Sequence, residues 1–513
     1  MFNIWNKITD FVKKHPWLSE VVVFAIMLVL YLPLQIGSKG FADPDSFYHL
    51  KMAELIAAHG PLRNFIWMPF TTLANSFADQ HFLYHLALIP FIKLFGPLLG
   101  MKLATAVMAA LAIAALAWSL RFVGIRYAAA FALAAGIMNP LAFRIGLSKA
   151  SALGVAFLIV GLALAAKKRT WPLAVVAFFY VWTHGSWPAL VGLGTVAIII
   201  VCWENSLRAT CHALRAPLAF LWSGAIAGII INPFFPQNLK FYWEQIVQIA
   251  VINYQGKIGV GAEWYPYLPL RLAHDLPLLC LMAFAAIIIF PIVITQCEEN
   301  DRPEPLRLAM ALSFCAGAFL VLTLRSQRHV EYFVPLAVAA VAAWFSEFRI
   351  ANFKTLLRQN AVVAMLAAAV AFSLIAVYAG TGLARAKKDL AGNYSFTLYE
   401  KAAEYLKTHA APDEIVVNAD WDDMPPLFFR DDGNRYIMGL DPTFMYRANP
   451  KRYWDYVNFT LGKSTDPVGV MKELDSRYVL ADRVHNELDI MLGRSPRFTR
   501  VYEDKESEIY LFK

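Results

Sequence analysis

Two aspartates stand two positions apart near the start of the chain, within the segment Phe41-Ala-Asp43-Pro-Asp45-Ser-Phe-Tyr48-His49. Carboxylates placed this closely can take a proton from a substrate or ligate a hard cation. A simpler interpretation is an Asp-Pro turn in which Asp45 or Ser46 caps the following helix, and the spacing alone favours it. Both interpretations of Asp43 and Asp45 stay open at this point.

A second group of acid–base and metal-ligating side chains follows in the segment Asp79-Gln-His81-Phe-Leu-Tyr-His85. On a helix, His81 and His85 share a face, and Asp79 stands where it can cap that helix. Imidazole and carboxylate groups together form metal sites of the nitrogen and oxygen type. The spacing alone favours the alternative, histidines at a membrane surface beside a belt of aromatic residues.

An acidic residue also occurs in a glycine-rich and aromatic segment, Gly259-Val-Gly-Ala-Glu263-Trp264-Tyr-Pro266. In such a setting Glu263 can act as a movable ligand or as a clamp on a substrate. The alternative is a loop at the level of the lipid headgroups, where Trp and Tyr accumulate in any case. The composition of the segment does not decide between the two.

Two arginines lie at the boundary of an apolar run, in the segment Leu324-Arg325-Ser-Gln-Arg328-His-Val-Glu331-Tyr332. Guanidinium groups bind phosphate through two parallel hydrogen bonds, so Arg325 and Arg328 are predicted to hold a lipid phosphate. Arg144 is a further candidate for binding the same anion. The alternatives are side chains that extend to the water layer and an ion pair with Glu331.

In the polar last quarter of the chain, Trp421-Asp422-Asp423 comes shortly after the predicted strand Ile415–Asn418. Open α/β sheets bind ligands at the carboxyl ends of their strands. Trp421, Asp422 and Asp423 are therefore predicted to bind an acceptor substrate. The alternative is a solvated acidic turn with Trp421 in the core of the domain.

The composition indicates which elements must position these residues. Of the 513 residues, 58% are hydrophobic and 16% are charged, and the mean hydropathy is +0.49. Soluble domains carry about 25% charged residues. Apolar runs, most of about 20 residues and able to cross a bilayer, recur up to about Tyr378. They predict spans at about 19–37, 98–120, 127–142, 150–166, 170–184, 186–203, 217–232, 274–295, 306–324, 330–346 and 360–379. We therefore predict a polytopic α-helical membrane protein with about 11–13 spans in residues 1–384, followed by a small α/β domain in residues 385–513.

The positions of Lys and Arg predict the orientation, because cytoplasmic loops are rich in these residues. With the N-terminus in the cytoplasm, the external loops 37–81 and 233–273 and the C-terminal domain lie outside an inner or plasma membrane. The stretch His81–Phe95 is short and contains Pro90, and is interpreted as a re-entrant or interfacial helix. The basic residues predicted to be cytoplasmic are Lys7, Lys13, Lys14, Arg121, Arg126, Lys167, Lys168, Arg169, Arg208, Arg215, Arg302, Arg307, Arg349, Lys354 and Arg358.

Taken together, the motifs resemble those of the GT-C superfamily of polyprenyl-phosphate-dependent glycosyltransferases, above all the catalytic subunit of oligosaccharyltransferases. Asp43-Pro…Tyr48 matches the Asp-Pro-x-x-x-Tyr motif in the first external loop of that family. Gly261-Ala-Glu263-Trp264-Tyr-Pro266 is similar to its S-V-S-E-H-Q-P segment. Arg328-His-x-x-Tyr332-x-x-Pro335 is similar to its R-F-x-x-Y-x-x-P, and Trp421-Asp422-Asp423 partly matches its W-W-D-Y-G.

The resemblance implies that a sugar or oligosaccharide is moved from polyprenyl phosphate or pyrophosphate to a protein, lipid or glycan, with inversion at the anomeric carbon. Asp43 or Asp45 would activate the acceptor. Glu263 would hold the acceptor or a metal ion, and Arg328 with Arg325 would stabilise charge on the leaving phosphate.

Two departures from the family concern the metal and the acceptor. The second external loop of the family carries a further acidic motif, but residues 139–149 of this chain contain no acid, and the W-W-D-Y-G match lacks the first Trp and the Tyr-Gly. They favour an alternative function, a monosaccharide transferase that modifies lipid or glycan from a lipid-phosphate sugar. The expected cofactor is Mg²⁺ or Mn²⁺, and its expected ligands are Asp43, Asp45, Asp79, Glu263 and His81.

Two other classes of protein are less compatible with the sequence. A transporter or flippase of lipid-linked sugars would carry paired charges in mid-membrane and inverted repeats, whereas the charges here lie at the ends of the apolar runs and no clear repeat is found. A nucleic-acid-binding protein would need a basic face on a soluble domain. The net charge of +8 belongs to the loops of the membrane body, and the C-terminal domain mixes both signs.

Overall fold

The computed structural model describes residues 15, 17–204, 206–299, 303–348 and 361–513. Some of the basic residues used to predict the orientation lie outside these ranges. They are Lys7, Lys13, Lys14, Arg302, Arg349, Lys354 and Arg358.

Apolar α-helices account for most of the chain up to residue 389, which confirms the predicted class of membrane protein. Within the described ranges, six helices are long and apolar enough to cross a membrane. Except for the start of Leu207–Ile230, which lies ten residues before the predicted span at 217–232, their ends lie within about three residues of the predicted spans. A run of about 20 apolar residues can satisfy its backbone in lipid only as a helix. These helices are Leu18–Ile36, Pro97–Val123, Leu207–Ile230, Pro277–Cys297, Pro303–Arg325 and Gln327–Glu347.

Several predicted spans are helical but shorter than a bilayer is thick. Ser151–Ala166, Thr170–Val181 and Trp187–Val201 have 16, 12 and 15 residues. Phe82–Phe95, predicted to be a re-entrant or interfacial helix and not a span, has 14. At 1.5 Å per residue, none of them reaches the ~30 Å of a hydrocarbon core. By length and composition, six or seven helices of the described chain can span, fewer than the 11–13 predicted. A further helix, Ala361–Asp389, joins the membrane body to the C-terminal region.

The span predicted at residues 127–142 consists of two helices instead of one. Ala128–Gly136 and Asn139–Ile145 are bent by 78° at the break between them. Pro140 stands in the first turn of the second helix, where its missing N–H costs nothing, and the preceding Met138 is extended. Residues 139–149, predicted to be an external loop, are therefore helical over more than half of their length.

The chain divides into two compact units, neither continuous in sequence. The first unit comprises residues 1–38, 102–228 and 265–391, and the second comprises residues 39–101, 229–264 and 392–513. The second unit thus combines the predicted C-terminal domain with most of the two predicted external loops. The division of the chain at residues 384 and 385 stays a prediction.

In the first unit, the helix Val330–Glu347 is buried over nearly its whole length and packs against Pro303–Arg325 and Pro277–Glu299. Small side chains such as Ala339 and Ala342 let the neighbouring helices approach closely, as is usual between helices in membranes. This packing fixes both ends of the central helix.

The C-terminal part of the second unit contains a five-stranded sheet. Its strands are the predicted strand Ile415–Asn418 (β3), Arg435–Tyr436 (β4), Tyr478–Asp482 (β5), Phe498–Glu503 (β6) and Ser507–Phe512 (β7). They lie in the order β4-β3-β5-β7-β6, with β3 parallel to β4 and β5, and with β7 antiparallel to β5 and β6. The helices are Glu400–His409, Met424–Arg430, Pro442–Ala448, Pro450–Thr460, Pro467–Glu473 and Asn486–Arg494.

A small antiparallel pair of strands joins the predicted first external loop to the C-terminal part of the second unit. β1 (Gly40–Phe41) pairs with β2 (Tyr394–Ser395), with Gly40 opposite Ser395 and Phe41 opposite Tyr394. A Cβ atom on Gly40 would lie 2.0 Å from the carbonyl oxygen of Tyr394, so only glycine allows this approach. The pairing fixes the chain just before Asp43.

Further helices of the second unit carry residues of the two loops that were predicted to be external. They are Asp45–His59, Leu73–Ser76, Gln237–Tyr242 and the π-helix Trp243–Ile252, followed by single 3-10 turns at Tyr254–Gly256 and Ala262–Trp264. The first unit also contains the helix Pro269–Asp275 and the 3-10 turn Gln327–His329.

Candidate active site

Asp43 forms the turn that starts the helix Asp45–His59. One of its carboxylate oxygens accepts a hydrogen bond from the backbone N–H of Asp45 at 3.0 Å. The turn expected from the Asp-Pro sequence is therefore formed, with Asp43 rather than Asp45 or Ser46 as the acceptor. This hydrogen bond holds the side chain of Asp43 in the turn.

Asp422 contacts the small sheet formed by β1 and β2 through a hydrogen bond. Its carboxylate accepts a hydrogen bond of 3.1 Å from the hydroxyl of Tyr394, the residue paired with Phe41 in the small sheet. Burial raises the pKa of Asp422 to about 7, and the charges of Asp420, Asp45 and Asp43 contribute to the rise. Carboxylates from the first loop and from the C-terminal part therefore converge in one region.

The substitution Asp422→Asn is expected to flatten the pH dependence of stability. Because folding raises the pKa of this carboxyl from near 4 to about 7, the folded protein keeps a proton that the unfolded chain has already lost. Stability therefore falls as the pH rises through this window. Asparagine removes the effect, so the apparent Tm of the variant should fall less than that of the wild type between about pH 5 and pH 7. Thermal unfolding in detergent measures both slopes.

Asp475→Asn is the matched control for that experiment. Asp475 is exposed and has a φ of 48°, a conformation that asparagine also adopts readily. This variant should keep the slope of the wild type. If Asp422→Asn also kept it, the elevated pKa of Asp422 would be excluded.

Asp423 has a structural role within the domain. Its oxygens accept hydrogen bonds from the hydroxyl of Tyr399 at 2.7 Å and from the backbone N–H of Asp420 at 2.8 Å, which completes a reciprocal cap on the turn Trp421–Asp423. Burial, and then the charge of Asp482, raises the pKa of Asp423 to about 8. Asp423 is buried and Trp421 is half-buried, so this turn is not the solvated one of the alternative interpretation, and acceptor binding stays a prediction.

Trp421 and the segment of Glu263 are neighbours in the second unit. A Cβ atom on Gly259 would lie 3.9 Å from Cη2 of Trp421. Glu263 is half-buried in the 3-10 turn Ala262–Trp264, and the side-chain amide of Asn253 donates to the carbonyl oxygen of Trp264 at 3.0 Å. The loop that resembles the family's Glu-containing segment thus packs beside the predicted acceptor residue.

A buried chain of hydrogen bonds connects Asp79 to two histidines. Asp79 Oδ2 lies 2.7 Å from Nδ1 of His85, and Nε2 of His85 lies 2.8 Å from Nδ1 of His49. The other oxygen of Asp79 accepts from the backbone N–H of His81 at 2.9 Å. His49 was not singled out from the sequence, although its position four residues after Asp45 on the same helix was visible.

The described residues do not fit the expected metal ion. No group of three or more His, Cys, Asp or Glu side chains in the described ranges is arranged to hold one. Asp79, one of the predicted ligands, already bonds His81 and His85 through its two oxygens. Mg²⁺ or Mn²⁺ binding stays a prediction, and the sugar transfer is derived from the side chains alone.

The predicted phosphate-binding arginines belong to the first unit. Arg325 is the exposed last residue of the helix Pro303–Arg325, and Arg328 is half-buried in the 3-10 turn that follows. Arg144 is buried, and its Nε lies 2.9 Å from a carboxylate oxygen of Glu331. The sequence left open an ion pair between Glu331 and a neighbouring arginine, Arg325 or Arg328. The structure shows Glu331 paired with Arg144, which is 187 residues distant in sequence.

The sequence matches no protein-family model and no curated protein. Solved structures do match. The archaeal oligosaccharyltransferase AglB from Archaeoglobus fulgidus, in complex with an inhibitory peptide and a dolichol-phosphate, superposes with a TM-score of 0.61 at 16% identity, over 92% of this chain and 70% of that one. The chain has the GT-C fold.

Two further solved structures support the same fold. ArnT from Cupriavidus metallidurans, bound to undecaprenyl phosphate, matches with a TM-score of 0.56 at 17% identity, over 96% of this chain and 97% of that one. The arabinofuranosyltransferase AftD from Mycobacteria matches at 0.52 and 14% identity, over 96% of this chain and 41% of that one. The resemblance stated from the motifs is thus confirmed at the level of the fold.

Proposed function

We propose that this chain is a membrane glycosyltransferase that moves a sugar or oligosaccharide from a polyprenyl-linked phosphate donor to an acceptor. The observation that carries the proposal is the combination of a GT-C fold with the carboxylate of Asp422, whose pKa is raised by burial and by the charges of Asp45 and Asp43. Acid–base groups gathered in this way are typical of sites where a substrate loses a proton.

The donor class is supported by the ligands of two similar structures. One was solved with dolichol-phosphate and one with undecaprenyl phosphate, both polyprenyl phosphates. Arg328 is the residue that we assign to the donor phosphate in this chain, with Arg325 as its neighbour. A guanidinium group can bind two phosphate oxygens at once and keeps its charge at any physiological pH.

The proposed reaction is a displacement at the anomeric carbon of the donor. The bond from that carbon to the oxygen of the lipid phosphate breaks, and a bond to the acceptor oxygen or nitrogen forms. The acceptor proton passes to the carboxylate of Asp43 or Asp45, and the bonding electrons leave with the phosphate. Arg328 stabilises the charge that grows on the phosphate oxygens. A single displacement of this kind inverts the anomeric centre.

The acceptor is proposed to be a protein, a lipid or a glycan. The partial match at Trp421–Asp423 and the cap made by Asp423 favour the second candidate function, a monosaccharide transferase that modifies lipid or glycan. The match to ArnT covers nearly the full length of both chains, so the two chains are similar in length.

The function is tested by comparing the products of a strain that lacks the protein with those of the parent. Mass spectrometry of lipids, glycans and glycopeptides should show one sugar-bearing species missing from the deletion strain and restored by the wild-type gene. Accumulation of the unused donor on polyprenyl phosphate is expected in the same strain. Identical profiles in both strains would contradict the proposal.

The substitution Arg328→Ala is expected to weaken binding of undecaprenyl phosphate by about tenfold or more, because one charge-assisted interaction contributes roughly 1.5–3 kcal/mol. Binding to the purified protein in detergent can be measured by the shift in thermal unfolding as the lipid is titrated. Arg63→Ala, which removes an exposed arginine of the second unit, is the control and should bind as the wild type does. Equal binding by both variants would remove Arg328 from the donor site.

A further inference from the structure

The first unit contains a cavity of about 400 Å³ that the proposed reaction does not use. It lies where several helices end, between the end of Pro97–Val123, the end of Ser151–Ala166, the end of Val330–Glu347 and the start of Pro303–Arg325. Its volume is in the range of sites for small molecules. The carboxylates of the candidate active site all belong to the second unit.

The cavity is lined by charges of both signs. Lys167, Lys168 and Arg307 supply three cationic groups. The anionic groups are also three, Glu204, Glu304 and Glu347. Three positive and three negative charges sum to zero, so a ligand with a single charge would gain little from the lining as a whole. A ligand that carries a phosphate and an ammonium group can pair with both sets at once.

An apolar cleft adjoins the charged cavity. Val123 and Ala166 line both spaces, and from there the cleft passes between side chains such as Leu120, Leu162 and Leu336. The cleft holds only about 20 Å³ of free space, so it has no room for a hydrocarbon chain and forms an apolar wall beside the charged cavity. The polar head of a ligand fits the cavity, and any hydrocarbon tail would lie outside it.

Exposed aromatic residues mark the level of the cavity as a membrane surface. Trp203 precedes the lining residue Glu204 and is 63% exposed, and Trp171 follows Lys167 and Lys168 by a few positions and is 67% exposed. Exposed Trp side chains gather at the boundary between lipid and water. The helix Val330–Glu347 has 18 residues, so its two ends are about 27 Å apart, close to the thickness of a hydrocarbon core.

Arg328 precedes the first end of this helix, and Glu347 of the cavity is at the other. The cavity therefore lies at the opposite membrane surface from the proposed donor phosphate. The distribution of Lys and Arg predicts that this surface is the cytoplasmic one.

We propose that the cavity binds the headgroup of a zwitterionic membrane phospholipid, with the phosphate on the Lys and Arg side chains and a primary ammonium on the carboxylates. Its acyl chains would lie in the surrounding bilayer, whose surface is marked by the exposed Trp171 and Trp203. A primary ammonium can donate hydrogen bonds to Glu204 and Glu304, whereas a trimethylated one cannot. The site therefore favours phosphatidylethanolamine over phosphatidylcholine, and over the anionic phosphatidylglycerol.

Native mass spectrometry of the full-length protein, delipidated in detergent, tests this site. Each of the three phospholipids is titrated separately and the bound fraction is compared. Phosphatidylethanolamine is expected to bind about tenfold more tightly than either competitor, as one charge-assisted hydrogen bond would provide. Equal binding of all three, or tighter binding of either competitor, would overturn the proposal.

Two variants locate the binding in the cavity. Arg307→Gln and Glu304→Gln should each lower the affinity for phosphatidylethanolamine by about tenfold. Arg208→Gln, which changes an exposed arginine outside the lining, should bind as the wild type does and also reports on folding. If the two cavity variants bound as tightly as this control, the lipid would lie elsewhere and the proposal would fail.

A water-soluble competitor separates a lipid from a soluble ligand with the same head. Glycerophosphoethanolamine has the phosphate and the ammonium but no acyl chains. It is expected to displace the phospholipid only at a large molar excess, because it gains nothing from the burial of hydrocarbon chains. Displacement at equal concentration would show that the acyl chains play no part, and would overturn the assignment to a membrane lipid.

Discussion

Replacing Asp43 with asparagine is expected to lower the rate of sugar transfer by about 10²–10⁴-fold, the usual contribution of a general base. The amide oxygen of asparagine can still accept the hydrogen bond from the N–H of Asp45, so the turn before the helix Asp45–His59 should survive. The negative charge that would attract the acceptor proton is lost. Asp43→Asn thus separates the chemical role of this residue from its role in the turn.

The measurement is transfer from a polyprenyl-phosphate sugar by the purified protein, with thermal unfolding recorded in parallel. Asp45→Asn is measured beside it, because the resemblance leaves open which of the two aspartates takes the proton. The variant with the larger loss of rate at unchanged stability identifies the base. Asp475→Asn serves again as the control, and it should keep the full rate.

Asp43→Ala adds a second comparison. Alanine removes both the charge and the hydrogen-bond acceptor, and loss of such a cap costs about 1 kcal/mol. The alanine variant should therefore be both inactive and less stable, whereas the asparagine variant should be inactive only. Full activity in Asp43→Asn and in Asp45→Asn would refute the assignment of the base to this loop.

The class of the fold could be predicted from the sequence because the bilayer imposes a simple rule on the chain. Long apolar runs become helices, and the ends of Pro97–Val123 and Pro303–Arg325 agree with the predictions to within a few residues. The strand Ile415–Asn418 was also predicted, because a short apolar run rich in β-branched residues favours a buried strand. These features depend on local sequence.

The features that were missed depend on distant residues. Apolar composition alone cannot show that a run bends, so the 78° break before Asn139 was not predicted, although Pro140 was a local signal. The link between His49 and His85 requires that two helices 36 residues apart pack side by side. No spacing in the sequence encodes that contact, and the motif at Asp79 was therefore interpreted either as a metal site or as histidines at a membrane surface.

The convergence of Asp43, Asp45 and Asp422 has the same origin. Asp43 and Asp45 were candidates from one motif, and Asp422 was a candidate from another. The effect of the first two charges on the pKa of Asp422 follows from the pairing of β1 with β2. That pairing joins two short strands more than 350 positions apart, and neither has the length or pattern of a predictable strand. The site could therefore be predicted as separate motifs, and only the fold combines the carboxylates into one.

The substitution Arg144→Met is expected to lower the free energy of unfolding by about 3–5 kcal/mol, because it leaves the carboxylate of Glu331 buried without its cationic partner. Arg144 and Glu331 are 7% and 0% exposed, and their N–O distance is 2.9 Å. Within the described residues, the second oxygen of Glu331 has no hydrogen-bond partner, so the ion pair is the main compensation for its charge. Thermal or denaturant-induced unfolding in detergent measures the loss.

The double variant Arg144→Met and Glu331→Leu should regain most of that stability, since replacing both partners of a buried pair with apolar groups is often neutral. Arg435→Met, the control, breaks an exposed ion pair with Asp413 and should lower the free energy of unfolding by at most about 1 kcal/mol.

The double variant also tests the prediction that Arg144 holds the donor phosphate. If it is stable and binds undecaprenyl phosphate like the wild type, Arg144 serves the fold through Glu331, and the donor site belongs to Arg328. A single variant as stable as the wild type would instead show that the buried pair contributes little.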